Sequence, residues 1–149
     1  MNVVLVGSGG RENAIAYKIS ESVLLQNLFI LPGNPGTAKY GKNINITNYD
    51  EIVEFCLNNK IDLVIVGPEI PLVDGLANKL REKGIRVFGP DKEAAIIEGD
   101  KSFSKELMKK YKIPTADYEI FSKENYEQAI KYIEQSSYPL VIKASGLAA

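Results

Sequence analysis

Arg11 and Glu12 follow directly on a glycine-rich run, Gly7-Ser8-Gly9-Gly10, and that order of residue types is suited to holding an anion. Glycine lets backbone approach a ligand closely, the first helical turn has N–H groups without intrahelical partners, and arginine adds a fixed positive charge. Two further turns carry comparable residues, Pro32-Gly33-Asn34-Pro35-Gly36-Thr37 and Gly67-Pro68-Glu69. Gly9, Gly10 and Arg11 suit a phosphate, while Glu69 suits a sugar hydroxyl or an amine. Glu12 reads equally well as a ligand contact or as a first-turn acid complementing the helix macrodipole. Near the C-terminus, Lys143 closes the apolar run Leu140-Val141-Ile142 and precedes the small-residue loop Ala144-Ser145-Gly146-Leu147-Ala148-Ala149. A lysine at a strand end beside a glycine loop suits nucleotide phosphates, or else guards an edge strand against aggregation.

Other chemistries are poorly supplied. The chain has no histidine, so a His-based triad or a His-ligated zinc site is excluded. Its one cysteine, Cys56, lies among apolar residues, offers no disulfide framework and reads as a small core residue. Gly7-Ser8-Gly9-Gly10 fits the dinucleotide fingerprint badly, because the third glycine of that pattern falls on Glu12 and no acidic residue follows the second strand. A phosphate or sugar-phosphate seat, a dinucleotide site and a turn kept only for tight packing all remain open from the residues alone.

These turns must be positioned by the elements between them. Apolar runs at 3–6, 28–31, 61–66 and 86–88 read as strands, with a weaker one at 43–46. Helices are expected over 11–20 and about 50–58, the latter capped by Thr47 or Asn48. Val73, Leu76, Ala77 and Leu80 stand at i, i+3, i+4 and i+7, the pattern of one amphipathic helix ended by Gly84. Repeated βα units separated by Gly/Pro turns predict an α/β fold with a doubly wound parallel sheet, whose ligands gather at the carboxyl ends of its strands. Beyond Asp91 the pattern changes. Helices are expected over 92–98, 101–112 and 124–135, and strands over 118–121 and 140–143. A first domain is therefore expected over 1–100, a linker helix over 101–112 and the beginning of a second domain over 113–149.

The chain has 149 residues, enough for one sizeable core and the beginning of another. Eighteen basic residues against nineteen acidic ones leave a net charge of −1, which argues against nucleic-acid binding by bulk electrostatics. No apolar run approaches membrane-spanning length, and the N-terminus enters a strand without the features of a signal peptide. A cytoplasmic protein is expected.

Taken in order, Gly7-Ser8-Gly9-Gly10-Arg11-Glu12, Pro32-Gly33-Asn34-Pro35-Gly36-Thr37, Val66-Gly67-Pro68-Glu69, Phe88-Gly89-Pro90 and Val141-Ile142-Lys143-Ala144 with Gly146-Leu147-Ala148-Ala149 closely resemble the phosphoribosylamine–glycine ligase family of ATP-grasp enzymes. The resemblance covers nearly the whole chain. It implies a Rossmann-like pre-ATP-grasp domain followed by the start of an ATP-grasp domain. It also implies an ATP-dependent ligation with Mg²⁺, or Mn²⁺ in its place, joining glycine to 5-phosphoribosylamine through a glycyl phosphate. On this resemblance Gly9, Gly10, Arg11 and Glu12 are the main contacts of the ribose phosphate, with Gly33, Asn34, Thr37 and Glu69 nearby. Lys105 and Lys143 match the family's ATP-phosphate lysines, no metal ligand is assigned within this chain, and the catalytic residues are unassigned.

Three positions depart from the family pattern. Asn13 replaces its histidine and cannot titrate near neutrality. Ser145 replaces an aspartate in Lys-Ala-Asp-Gly, and Asp100 replaces a serine in Gly-Ser-Lys. The family continues past Gly-Leu-Ala-Ala into its phosphate-covering loop, so the chain by itself is expected not to turn over and to need the remainder of the enzyme. The alternative is a non-catalytic module that binds a nucleotide or sugar phosphate.

Overall fold

The computed structural model describes residues 1–146. The chain divides into two compact units, Met1–Ala95 and Ile96–Ala149.

The first unit holds a five-stranded sheet, all of it parallel: β1 (Asn2–Gly7), β2 (Asn27–Pro32), β3 (Lys42–Asn43), β4 (Leu63–Val66) and β5 (Val87–Phe88), in the order β3-β2-β1-β4-β5. Alternate residues of β1 point to opposite faces, and each face has its own core. Val3 and Leu5 join Leu28, Ile30 and Ala16 of α1 (Gly10–Ser20) on one side. Val4 and Val6 join Ile52, Val53 and Cys56 of α2 (Tyr49–Asn58) and Leu76, Ala77 and Leu80 of α4 (Leu76–Glu82) on the other. Helices on both faces bury β1 completely between Val3 and Gly7, which is why its sequence is continuously apolar. The doubly wound parallel sheet expected from the βα alternation is the fold of this unit.

Several expected elements change when their hydrogen-bond partners are known. The amphipathic pattern through Val73 and Leu80 is two helices, α3 (Glu69–Val73) and α4. Gly75 between them has φ +91°, a left-handed conformation that ends a helical run. Its neighbours keep the periodicity, so the break is invisible to the pattern. The strand expected over 43–46 is ladder-paired only at Lys42–Asn43, after which Ile44 and Ile46 turn onto the core. The strand expected from 61 begins at Leu63, because Asp62 is tied to the start of β1: its N–H donates to the Asn2 carbonyl at 2.9 Å, and its carboxylate accepts from the Asn2 N–H at 2.7 Å. Asn48 is the cap of α2, its side-chain oxygen accepting from the N–H groups of Asp50 and Glu51.

α5 (Lys92–Gly99) spans the division between the units, and the second unit continues with α6 (Lys101–Lys110) and α7 (Tyr126–Gln135). The segments 118–121 and 140–143, expected as strands, are not ladder-paired among the described residues. An apolar run becomes a strand only when a second backbone meets its N–H and C=O groups. Val141 and Ile142 stand 73% and 75% exposed. Residues 147–149, where the Gly-Leu-Ala-Ala motif ends, lie outside the described residues.

Candidate functional site

The strand order reverses at β1, whose neighbours β2 and β4 lead the chain away on opposite sides. In such a sheet the ligand crevice lies outside the carboxyl ends of the strands at this switch point. The three turns singled out in the sequence follow β1, β2 and β4 there.

Glu12 is the keystone of the first turn. Only 3% of it is exposed, and its Oε2 accepts from the Gly9 N–H at 2.6 Å, the acidic half of a capping box closing back on the start of α1. The other oxygen, Oε1, has no hydrogen-bond partner among the described residues but lies 3.4 Å from Nε of Arg11. A buried carboxylate is costly unless compensated, and here the Gly9 N–H, the helix N-terminus and Arg11 together compensate it. Two glycines make its room. A Cβ at Gly7, where φ is +127°, would stand 2.6 Å from Cγ of Glu12, and one at Gly67 would overlap the Glu12 carboxylate. Gly7 ends β1 and Gly67 follows β4, so the Glu12 side chain is wedged between the two strand ends.

The second turn is closed by amide and hydroxyl side chains. Asn34 Nδ2 donates to the carbonyls of Ser8 and Gly9 at 2.8 and 3.3 Å, stitching this turn to the first. Its Oδ1 accepts from the N–H groups of Gly36 and Thr37. The Thr37 hydroxyl is fully buried; it accepts from the Asn34 N–H and lies 2.8 Å from both the Asn34 carbonyl and Asn43 Oδ1. Asn43 Nδ2 in turn donates to the Asn34 carbonyl at 2.7 Å. Gly33, at φ +75°, has no space for a Cβ, which would fall 2.8 Å from the Thr37 hydroxyl. Asn34 and Thr37 therefore spend their polar atoms on the turn itself.

Arg11 and Glu69 face outward. Arg11 Nη2 donates to Glu69 Oε2 at 2.9 Å, joining the turn after β1 to the start of α3. The Glu69 carboxyl is held below the usual carboxylate range by its own backbone N–H and then by Arg11, while Glu69 raises Arg11 further. Apart from the Glu12 carboxylate on the Gly9 N–H, no side chain among the described residues caps the N-terminus of α1, and the position of a Cβ at Gly10 is open space. The N–H groups of Gly10 and Arg11 thus have no side-chain partner among the described residues. Gly9, Gly10, Arg11, Glu12, Gly33, Asn34, Thr37 and Glu69 share this one edge of the first unit. Of the residues that shape it, Gly67 belongs to the Gly67-Pro68-Glu69 turn already marked by the sequence, whereas Asn43 carries no signal of its own, a single asparagine at a strand end being too common to stand out.

The two lysines belong to the second unit. Lys105 Nζ donates to the Thr115 hydroxyl at 2.6 Å and the Ala116 carbonyl at 2.9 Å, and lies 5.4 Å from the ring centre of Tyr118. Lys143 is exposed. The two departures from the family pattern in this unit touch each other: Ser145 donates to Asp100 Oδ1 at 2.7 Å, and Asp100 also caps α6 through the N–H groups of Ser102 and Phe103. The Ser145 hydroxyl, then the Phe103 N–H, hold the Asp100 carboxyl below its usual range. Lys101 adds two bonds to the same loop, from its N–H to the Ser145 carbonyl and from Nζ to the Gly146 carbonyl. Among the described residues no three acidic, histidine or cysteine side chains cluster to hold a metal ion. No helix among them is long and apolar enough to cross a membrane.

Two family models match the chain: phosphoribosylglycinamide synthetase, N domain, over residues 1–98, and phosphoribosylglycinamide synthetase, ATP-grasp (A) domain, over residues 99–149. The phosphoribosylamine–glycine ligase of Clostridium acetobutylicum is 50% identical over 100% of this chain and 36% of its own length. That of Mesorhizobium japonicum is 51% identical over 100% of this chain and 35% of its own. The crystal structure of the phosphoribosylamine–glycine ligase of Thermotoga maritima superposes with a TM-score of 0.70 at 34% identity, over 99% of this chain and 34% of that one. The chain spans about a third of the length of these relatives.

Proposed function

Because the chain belongs to the phosphoribosylglycinamide synthetase family, we propose that its first unit seats the phosphoribosyl substrate of an ATP-dependent ligase. The observation that carries this is the first turn of α1 at the switch point of the sheet, where no side chain among the described residues accepts from the N–H groups of Gly10 and Arg11 and a Cβ at Gly10 would meet open space. The phosphate is assigned to the first-turn N–H groups at Gly10 and Arg11 and to the guanidinium. Glu69 is assigned to a hydroxyl or amine of the sugar. Gly9, Glu12, Gly33, Asn34 and Thr37 keep these groups in place by holding the two turns together.

In the parent enzyme the reaction proposed is the joining of glycine to 5-phosphoribosylamine. A glycine carboxylate oxygen takes the terminal phosphoryl group of ATP, releasing ADP. The amine nitrogen then attacks the acyl carbon, phosphate leaves, and the nitrogen loses a proton. Phosphorylation turns a poor acyl leaving group into a good one. Lys105 and Lys143 are assigned to ATP phosphates, and the metal, Mg²⁺ or Mn²⁺, to residues beyond those described. Residues 1–100 are read as the substrate-binding domain, 101–112 as the linker helix and 113–149 as the beginning of the ATP-grasp domain of a cytoplasmic enzyme.

Calorimetric titration of the chain with ribose 5-phosphate, NAD and ATP tests the seat. Ribose 5-phosphate is expected to bind, and Arg11→Ala to weaken it by roughly 10- to 100-fold, the loss of a hydrogen bond to a charged group. Binding of NAD without any response to ribose 5-phosphate, or an Arg11→Ala variant of unchanged affinity, would overturn the assignment.

A further inference from the structure

We propose that Glu69 makes the seat on α1 selective for a phosphate that carries hydrogen-bond donors, by holding Arg11 against a bare anion. The inference rests on the reading of that helix N-terminus as a phosphate seat. In the free protein one guanidinium serves two carboxylates: Nη2 donates to Glu69 Oε2 at 2.9 Å, and Nε lies 3.4 Å from Glu12 Oε1. The side chains around the seat therefore carry one positive and two negative charges.

The two carboxylates are not equivalent. Glu12 is buried, bonded to the Gly9 N–H and wedged against Gly7 and Gly67, so it cannot leave. Glu69 opens α3 at the end of a neighbouring strand, with 37% of its side chain exposed, and Arg11 with 57%. Exposed pairs of this kind are weak enough for a ligand to break. A bare phosphate that draws Arg11 away leaves the Glu69 carboxylate beside it, one anion facing another. A sugar phosphate draws Arg11 in the same way but offers hydroxyl donors to the released carboxylate, which is an acceptor only. Glu69 thus penalises the first ligand and rewards the second.

The test compares inorganic phosphate with ribose 5-phosphate on the chain and on its Glu69→Gln variant by calorimetry. Phosphate is expected to bind about three-fold tighter to the variant, within the range set by a broken exposed pair. Ribose 5-phosphate is expected to bind more weakly, so that its advantage over phosphate narrows at least five-fold. Phosphate that weakens or stays the same, or an advantage that does not narrow, overturns the proposal. Loss of ribose 5-phosphate binding in Arg11→Ala while the Glu69 measurements fail removes the selector alone. Absence of any ribose 5-phosphate binding removes the seat and the selector together.

Discussion

A buried carboxylate normally needs a full set of partners, and Glu12 has one strong donor, the Gly9 N–H at 2.6 Å, with Arg11 behind its second oxygen. Its place is bought by the missing side chains of Gly7 and Gly67. Gly67→Ala is therefore expected to lower stability by about 1–3 kcal/mol in denaturant unfolding, the usual cost of overpacking. Glu12→Ala removes the group that the new methyl would strike. The double variant should accordingly lose clearly less than the sum of the two single losses. Strict additivity would show that Gly67 serves some purpose other than making room for Glu12. At this scale the sequence was partly legible. Arg11 and Glu69 stood out as charges at turns, yet nothing local showed that Glu12 points inward while its neighbour Arg11 points out.

Among the elements, the two turns beside β1 behave as one piece because Asn34 bonds to both. Asn34→Ala should raise amide hydrogen exchange at Gly36 and Thr37 by tenfold or more while leaving α2 unchanged, since these amides lose their acceptor. Equal protection in the variant would sink the coupling. The break between α3 and α4 is set by Gly75, whose φ of +91° is unfavourable for any residue with a Cβ. Gly75→Ala is expected to cost about 1–2 kcal/mol in the same unfolding measurement. Apolar periodicity ran straight through this position because it reports which side chains are buried, not whether one helix or two bury them. In the second unit the same limit applies to 118–121 and 140–143, whose apolar character cannot supply the partner backbone a strand requires. Asp100 and Ser145 show the converse case, in which two separate departures from a sequence pattern become one hydrogen-bonded cap on α6.

For the molecule as a whole, the first unit contains a complete doubly wound sheet with a core on each face, and among the described residues no side-chain cluster is fit for a metal. The first unit is thus expected to bind ribose 5-phosphate by itself, as read by calorimetry on residues 1–100, and no binding there would place the seat elsewhere. The family, the α/β class, the strand–helix alternation and the three turns were all legible in the chain itself. They depend on local properties: the conformational freedom of glycine, the period of apolar residues and short motifs in a fixed order. The tertiary structure alone decided which polar groups remain for a ligand. Arg11 and Glu69 are 58 positions apart, and Gly67 meets Glu12 only because β4 lies beside β1. Which carboxylate is locked inside and which is free to let go depends on that strand pairing, and no local pattern of residues records it.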